Sequence, residues 1–283
     1  MLGSPAFFSR DLMWTVMMSQ EDQRHHPNDR LLDLALAAAA HARRVDLTWL
    51  AERASAEERD FVGHWPGEHY RLLAACVEHL RPRLVVEIGT FTGLSALAAK
   101  AHLPADGRVV TYDIAPWWSF PDAVLDDSDL DDRLEQRLGD LGDSDFFATQ
   151  VETLAEADLM LLDGPKDGRF EPKFLQLYLP IFRSTDTVLV VDDIRFVNMI
   201  QLWRDLPHPK LDLTSFGHWT GTGSPHAKAG PRACRHQPVE IARGGRVRAS
   251  DKRRSPSGQL RAQSRGVRSW SNRPAQPPAG RVR

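Results

Sequence analysis

The sequence predicts an α/β fold: a doubly wound, mostly parallel sheet, preceded by N-terminal helices and followed by a disordered C-terminal tail. Three observations carry that prediction. Short apolar runs recur at Leu84–Ile88, Val109–Asp113, Asp158–Asp163 and Thr187–Asp192, which is how strands buried on both faces read. Segments of helical spacing separate them, and strands alternating with helices imply parallel pairing through right-handed crossovers. The runs close on Gly or Asp, and in such sheets ligands collect at the carboxyl ends of the strands. Gly89, Asp113, Asp163 and Asp192 all lie at those ends.

Taken in order, residues 1–27 show no periodic pattern and read as a loose arm. Asn28 or Asp29 caps a helix that runs through Leu31, Leu32, Leu34, Leu36 and Ala37–Ala40 to about Arg44. Asp46 caps a short second helix containing Leu47, Trp49 and Leu50. Pro66 suits a first helical turn, and Leu72, Leu73, Cys76, Val77 and Leu80 then follow at helical spacing. These helices are expected to pack against the sheet.

Leu84–Ile88 is the central strand, and Leu94–Leu103 is a helix of good formers. Beyond the second strand, Trp117, Trp118 and Phe120 occupy a loop, where aromatics either sandwich a flat ligand or plug the sheet edge. Residues 122–135 are acidic and solvated, and Leu134–Leu141 holds a weak third strand ending at Gly139-Asp140. Asp158–Asp163 is the fourth strand, followed by Gly-Pro-Lys-Asp-Gly turn chemistry and a helix over about Glu171–Phe182. Thr187–Asp192 is the fifth strand, with a helix over about Phe196–Leu206 behind it. Leu211–Phe216 alternates as a half-exposed strand does, and Gly217–Gly223 begins a hairpin return.

Composition narrows the class. The 283 residues are 42% apolar and include two cysteines, Cys76 and Cys234. That count makes neither a disulfide framework nor a zinc spacing, so a reducing cytoplasm is the expected location. Phe7, Phe8, Leu12, Met13 and Trp14 are interrupted by Arg10 and Asp11, which excludes a signal-peptide core or a membrane span there. The net charge of −2 hides an asymmetry: residues 224–283 hold 13 Arg and 2 Lys against Glu240 and Asp251, leaving residues 1–223 at −15. The expected organisation is an arm with cover helices over 1–64, a catalytic domain over 65–223 and a basic tail over 224–283.

Strand, Gly-containing turn and helix N-terminus after Ile88 put backbone N–H groups and a positive dipole end beside a ligand. Gly89 and Gly93 allow the sharp turn and a close ligand approach. The G-x-x-x-G spacing differs from the dinucleotide fingerprint, while Asp113 stands near the ~20-residue offset at which an acidic side chain takes ribose hydroxyls. Glu87 in the first strand, followed by Gly89 and Gly93, resembles the first motif of class I S-adenosylmethionine (SAM) methyltransferases. The resemblance implies a Rossmann-like fold with SAM held by Glu87, Gly89, Phe91, Gly93, Ser95, Asp113, Asp140 and Asp163.

Asp163-Gly-Pro-Lys166, followed 26 residues later by Asp192-Asp193, resembles the cation-dependent catechol and caffeoyl-CoA O-methyltransferases over about residues 70–223. By position, that resemblance implies that Asp163, Asp192 and Asp193 hold Mg²⁺ or another divalent cation and that Lys166 is the general base. Carboxylates are hard ligands suited to such ions, and a nearby cation should depress the lysine pKa. Asp193 stands where those enzymes carry Asn, and no acidic residue after Phe216 corresponds to the one that orients their catechol. Adjacent strand residues point to opposite faces, so Asp192 and Asp193 serve together only if the chain has turned. On a metal-independent enzyme of the same fold, His218 is the candidate base.

The expected function is SAM-dependent O-methylation of a small hydroxylated acceptor, on a chain whose oligomeric state the sequence leaves open. Residues 224–283, rich in Arg, Pro, Gly and Ser, cannot offset their ordering entropy. Two origins of the tail stay open: an arginine-rich segment for an RNA-directed methyltransferase, or an extension translated out of frame, which would leave a truncated, non-catalytic SAM-binding fold.

Overall fold

The computed structural model describes residues 25–63, 69–183, 185–218 and 221–226. The expected arm up to residue 24, the helix start at Pro66, Cys234 and the tail from residue 227 lie outside the described residues. The elements are α1 (Asp29–Ala42), α2 (Thr48–Arg53), α3 (Ala56–Gly63), α4 (Tyr70–Leu80), β1 (Leu84–Ile88), α5 (Leu94–His102), β2 (Arg108–Asp113), β3 (Leu134–Leu138), α6 (Ser144–Glu156), β4 (Leu159–Leu162), α7 (Phe170–Phe182), β5 (Val188–Asp192), α8 (Val197–Asp205), β6 (Lys210–Asp212) and β7 (Thr222–Pro225). Asn28 caps α1 by accepting from the Leu31 amide, and Asp46 accepts from the Thr48 amide at the start of α2. Among the described residues no helix is long and apolar enough to cross a membrane.

The seven strands run in the order β3-β2-β1-β4-β5-β7-β6. β1 pairs in parallel with β2 and β4, with Val86 opposite both Val110 and Met160. β3 and β5 extend the parallel set outward, and β7 alone runs against it, between β5 and β6. Every residue of β1, β4 and β5 is buried, as continuous apolar runs require.

Side-chain alternation divides the strands between two cores. Val85, Val109, Leu159, Leu161, Val188 and Val190 face one, with the buried sides of α4 and α5. Val86, Val110, Met160, Leu162, Leu189 and Val191 face the other, with Phe174, Tyr178 and Phe182 of α7. Each fully buried side chain of this size contributes roughly 1.5–3 kcal/mol relative to exposure. The same alternation puts Glu87, Thr111, Asp113, Asp163 and Asp192 on the face of the first core. Acidic side chains from four strands therefore converge at one carboxyl edge.

Two boundaries depart from expectation. β6 is only three residues long, because Asp212 turns the chain: its Oδ1 accepts from both the amide and the hydroxyl of Thr214. The final strand does continue past Gly223. β7 runs to Pro225, Leu211 pairs with Ser224, and His226 bridges to Val188. Residues 224–226 thus belong to the sheet and not to the tail, and His226 also meets the Asn28 side chain at 3.0 Å.

Candidate active site

The turn between β1 and α5 is a chain of left-handed residues: Gly89 at φ 102°, Phe91 at 44° and Gly93 at 91°. A Cβ at Gly89 would lie 2.0 Å from the Asp163 carbonyl oxygen, and one at Gly93 would lie 2.2 Å from Leu125 Cγ. Both glycines are demanded by backbone conformation and by contact with neighbouring chain, as the sharp turn expected there requires. The Phe91 amide donates to Asp113 Oδ2 at 3.0 Å, and the Thr90 and Thr111 hydroxyls meet at 2.8 Å. These bonds fasten the turn to the end of β2.

Beside the turn lies a cavity of about 610 Å³, lined by Gly89, Phe91, Asp113, Asp140, Asp163 and Lys166 among the expected residues. That volume suits a cofactor-sized molecule. Ile114 and Phe170 add apolar wall that the sequence reading left out. Of the loop aromatics, Phe120 faces the cavity and meets Phe91 edge-on at 5.0 Å between centroids. Trp117 packs on the core and Trp118 is exposed, so the loop supplies a wall and a plug from different residues. Glu87, Gly93 and Ser95 do not line the cavity. Glu87 is buried behind it, and burial, partly offset by the hydroxyls of Ser95 and Thr111, pushes its carboxyl up to about 7.

At the ends of β4 and β5, Lys166 Nζ pairs with Asp163 and lies 3.7 Å from Asp192 and 3.0 Å from Asp193. Asp193 reaches this cluster because its φ of 55° turns the chain right after β5, meeting the condition that adjacent residues face one site. Lys166 is also left-handed, at φ 52°. Its amide donates to Glu171 Oε1 at 2.6 Å and its carbonyl accepts from Asn198 at 3.0 Å. A helix on each side therefore holds the strained Gly-Pro-Lys turn.

Charge is divided unevenly across the cluster. Burial and the charge of Asp192 raise the Asp163 pKa, despite Lys166 and His69. Burial also acts to raise Asp192, but His69, His218 and Lys166 together hold it well below the usual carboxylate range. For Lys166, burial favours the neutral amine, yet Asp163, Asp192 and Asp193 outweigh it and hold the ammonium far above its ordinary pKa. Without a cation, three carboxylates facing one ammonium keep Lys166 protonated.

His69 was missed by sequence reasoning, and His218 was expected only as an alternative base. Both are buried. His69 Nδ1 lies 3.3 Å from Asp192 Oδ1 and its Nε2 3.8 Å from Asp163. His218 Nδ1 lies 3.3 Å from both Asp192 and Asp193. A lone histidine just ahead of a helix carries no local signal; only the placement of α4 against β5 reveals it.

Residues 86–194 match a family model described as a methyltransferase domain. Over that segment the chain is similar to a methyltransferase domain. The match runs from within β1 to just past β5, so every expected site residue falls inside it, while His69 and His218 fall outside. Catechol O-methyltransferase of Mus musculus is 30% identical to this chain over 128 residues, 44% of this chain and 47% of that protein. The chain therefore spans about half the length of that curated relative. Among solved structures, a protein assigned as a caffeoyl-CoA O-methyltransferase from Staphylococcus aureus is 16% identical, covering 68% of this chain and 98% of that one at a TM-score of 0.46. An O-methyltransferase from Bacillus cereus, solved with SAH, is 21% identical, covering 70% and 90% at a TM-score of 0.41.

Proposed function

We propose that the methyltransferase domain moves a methyl group from SAM to a hydroxyl of a small acceptor, with a divalent cation in the site. The observation that carries this reading is the meeting of Asp163, Lys166, Asp192 and Asp193 beside the cavity that Asp113 and Gly89 line. The residues fit SAM: Asp113 offers its carboxylate toward ribose hydroxyls, Asp140 with Ile114 and Phe120 offers a half-apolar slot for a purine, and the Gly89–Gly93 turn closes the other side. SAM supplies the electrophilic methyl group.

The residues fit a dication equally. Three carboxylates against one ammonium leave two negative charges on the cluster when the histidines are neutral, and two positive charges would balance them. A bound divalent cation lowers the pKa of a neighbouring hydroxyl. Lys166 Nζ stands where it can take that proton, and it can do so only when other positive charge relieves the carboxylates that keep it protonated. Much of the remaining work is orientation of two bound reactants.

The test is calorimetric titration of S-adenosylhomocysteine into the full-length chain, with Mg²⁺ and again with excess chelator, followed by methyl transfer to a panel of catechols and phenols. Binding in Mg²⁺ and transfer abolished by chelator are the expected results. Folded protein that binds no S-adenosylhomocysteine in either buffer refutes the reading.

A further inference from the structure

Two histidines flank the three carboxylates and converge on Asp192. His69, Asp192 and His218 each offer a ligand atom, all within 4.8 Å of one another, and all three residues are buried. They arrive from separate parts of the fold: His69 ahead of α4, Asp192 at the end of β5, His218 in the β6–β7 connection. Two imidazole Nδ1 atoms converge on the same carboxylate oxygen at 3.3 Å each. The His218 contact is a hydrogen bond, longer than the about 2.7–2.9 Å of a charge-assisted N–H···O⁻ bond. Neighbouring ligands on a tetrahedral ion with bonds of about 2.0–2.1 Å lie roughly 3.3 Å apart. On the other side of Asp192, the Lys166 ammonium already sits among Asp163, Asp192 and Asp193, the position the motif assigns to a cation.

We propose that His69, Asp192 and His218 form a nitrogen-bearing cation site that takes a borderline transition metal of the Zn²⁺ or Co²⁺ kind in preference to Mg²⁺ or Ca²⁺. This deepens the methyltransferase reading and rests on it for the ion's purpose, but not for its binding. Imidazole donors favour Zn²⁺ and Co²⁺, whereas Mg²⁺ and Ca²⁺ take oxygen ligands. Asp192 is shared by both positions, so its removal affects either. His69 and His218 belong to the nitrogen-bearing position, and Asp193 belongs to the three-carboxylate position.

The test strips the full-length chain of metal and titrates Co²⁺, followed by its visible d–d absorption, and Mg²⁺, followed by calorimetry. Co²⁺ is expected to bind at least about tenfold more tightly than Mg²⁺. His69→Ala and His218→Ala are each expected to weaken Co²⁺ about tenfold or more and to shift its spectrum, whereas Asp193→Ala changes Co²⁺ affinity less. Pulsed EPR of the Cu²⁺-loaded wild-type chain needs no variant and should show directly bound imidazole nitrogen. Absence of imidazole coupling, Co²⁺ no tighter than Mg²⁺, or loss of Co²⁺ with Asp193→Ala but with neither histidine variant overturns the proposal. S-adenosylhomocysteine binding, measured on the same samples, separates the two readings. Its absence with the cobalt spectrum intact sinks the methyltransferase reading alone, and its presence without nitrogen ligation sinks the metal site alone.

Discussion

Glu87 shows how one buried carboxyl ties the central strand to pH. Its folded pKa of about 7 stands above the ordinary carboxylate value because burial disfavours the charge. Such a group binds its proton more tightly folded than unfolded between about pH 4.5 and 7, so stability falls as pH rises through that window. The loss amounts to about 3 kcal/mol by pH 8. Glu87→Gln should remove it, and urea denaturation of both proteins at pH 5 and pH 8 measures the difference; equal pH dependence would mean that the carboxyl is not held as described. Lys166 is the converse case, a charge that its neighbours require. Lys166→Met leaves three carboxylates facing one another, which should cost several kcal/mol in chelator, as breaking a buried ion pair does. Added dication should raise the melting temperature of this variant more than that of the wild type. Methyl transfer should fall by about two to four orders of magnitude with S-adenosylhomocysteine affinity little changed. A melting temperature indifferent to dication would show that the carboxylates are not coupled through the lysine position.

At the scale of elements, β7 carries more weight than its four residues imply. It lies between β5 and β6 in the sheet, and Thr222 pairs directly with Asp192. A chain ending at His226 should unfold cooperatively and bind S-adenosylhomocysteine, whereas one ending at Gly221 should lose both. Thermal denaturation of the two truncations checks this, and equal behaviour would show that β7 is dispensable. This is also where the sequence was least legible. The central strands declared themselves because burial on both faces leaves an unbroken apolar run, and Asp113, Asp163 and Asp192 followed as the residues that close those runs. β7 reads Thr-Gly-Ser-Pro, with no alternation and a proline, because it is held by backbone pairing to β5 and β6 and not by apolar side chains. His69 was hidden for a related reason: its role depends on which strand end α4 packs beside, a tertiary fact with no local period. The left-handed Asp193 was only half legible, since the sequence stated the need for a turn and the φ of 55° supplied it.

At the scale of the molecule, charge sets which acceptors can approach. All but three of the described residues belong to the part of the chain that carries −15 up to residue 223. The cavity itself presents Asp113, Asp140, Asp163 and Asp167 against Lys166. Low-dielectric walls focus such a field, and like charge lowers the local concentration of an anionic substrate. A bound dication would offset the deep end of the site, near Lys166, but not the rim. Neutral or cationic catechols should therefore outperform acceptors bearing a carboxylate or a phosphate-rich carrier. The contrast should shrink as salt screens the rim, because at 1 M ionic strength the Debye length is only about 3 Å. Initial rates with catechol and with 3,4-dihydroxybenzoate, at low salt and at high salt, decide the matter. A larger kcat/KM for catechol that converges on that of the carboxylate as salt is added is the expected pattern. A preference for the anion at low salt would mean that the acidic rim does not govern access.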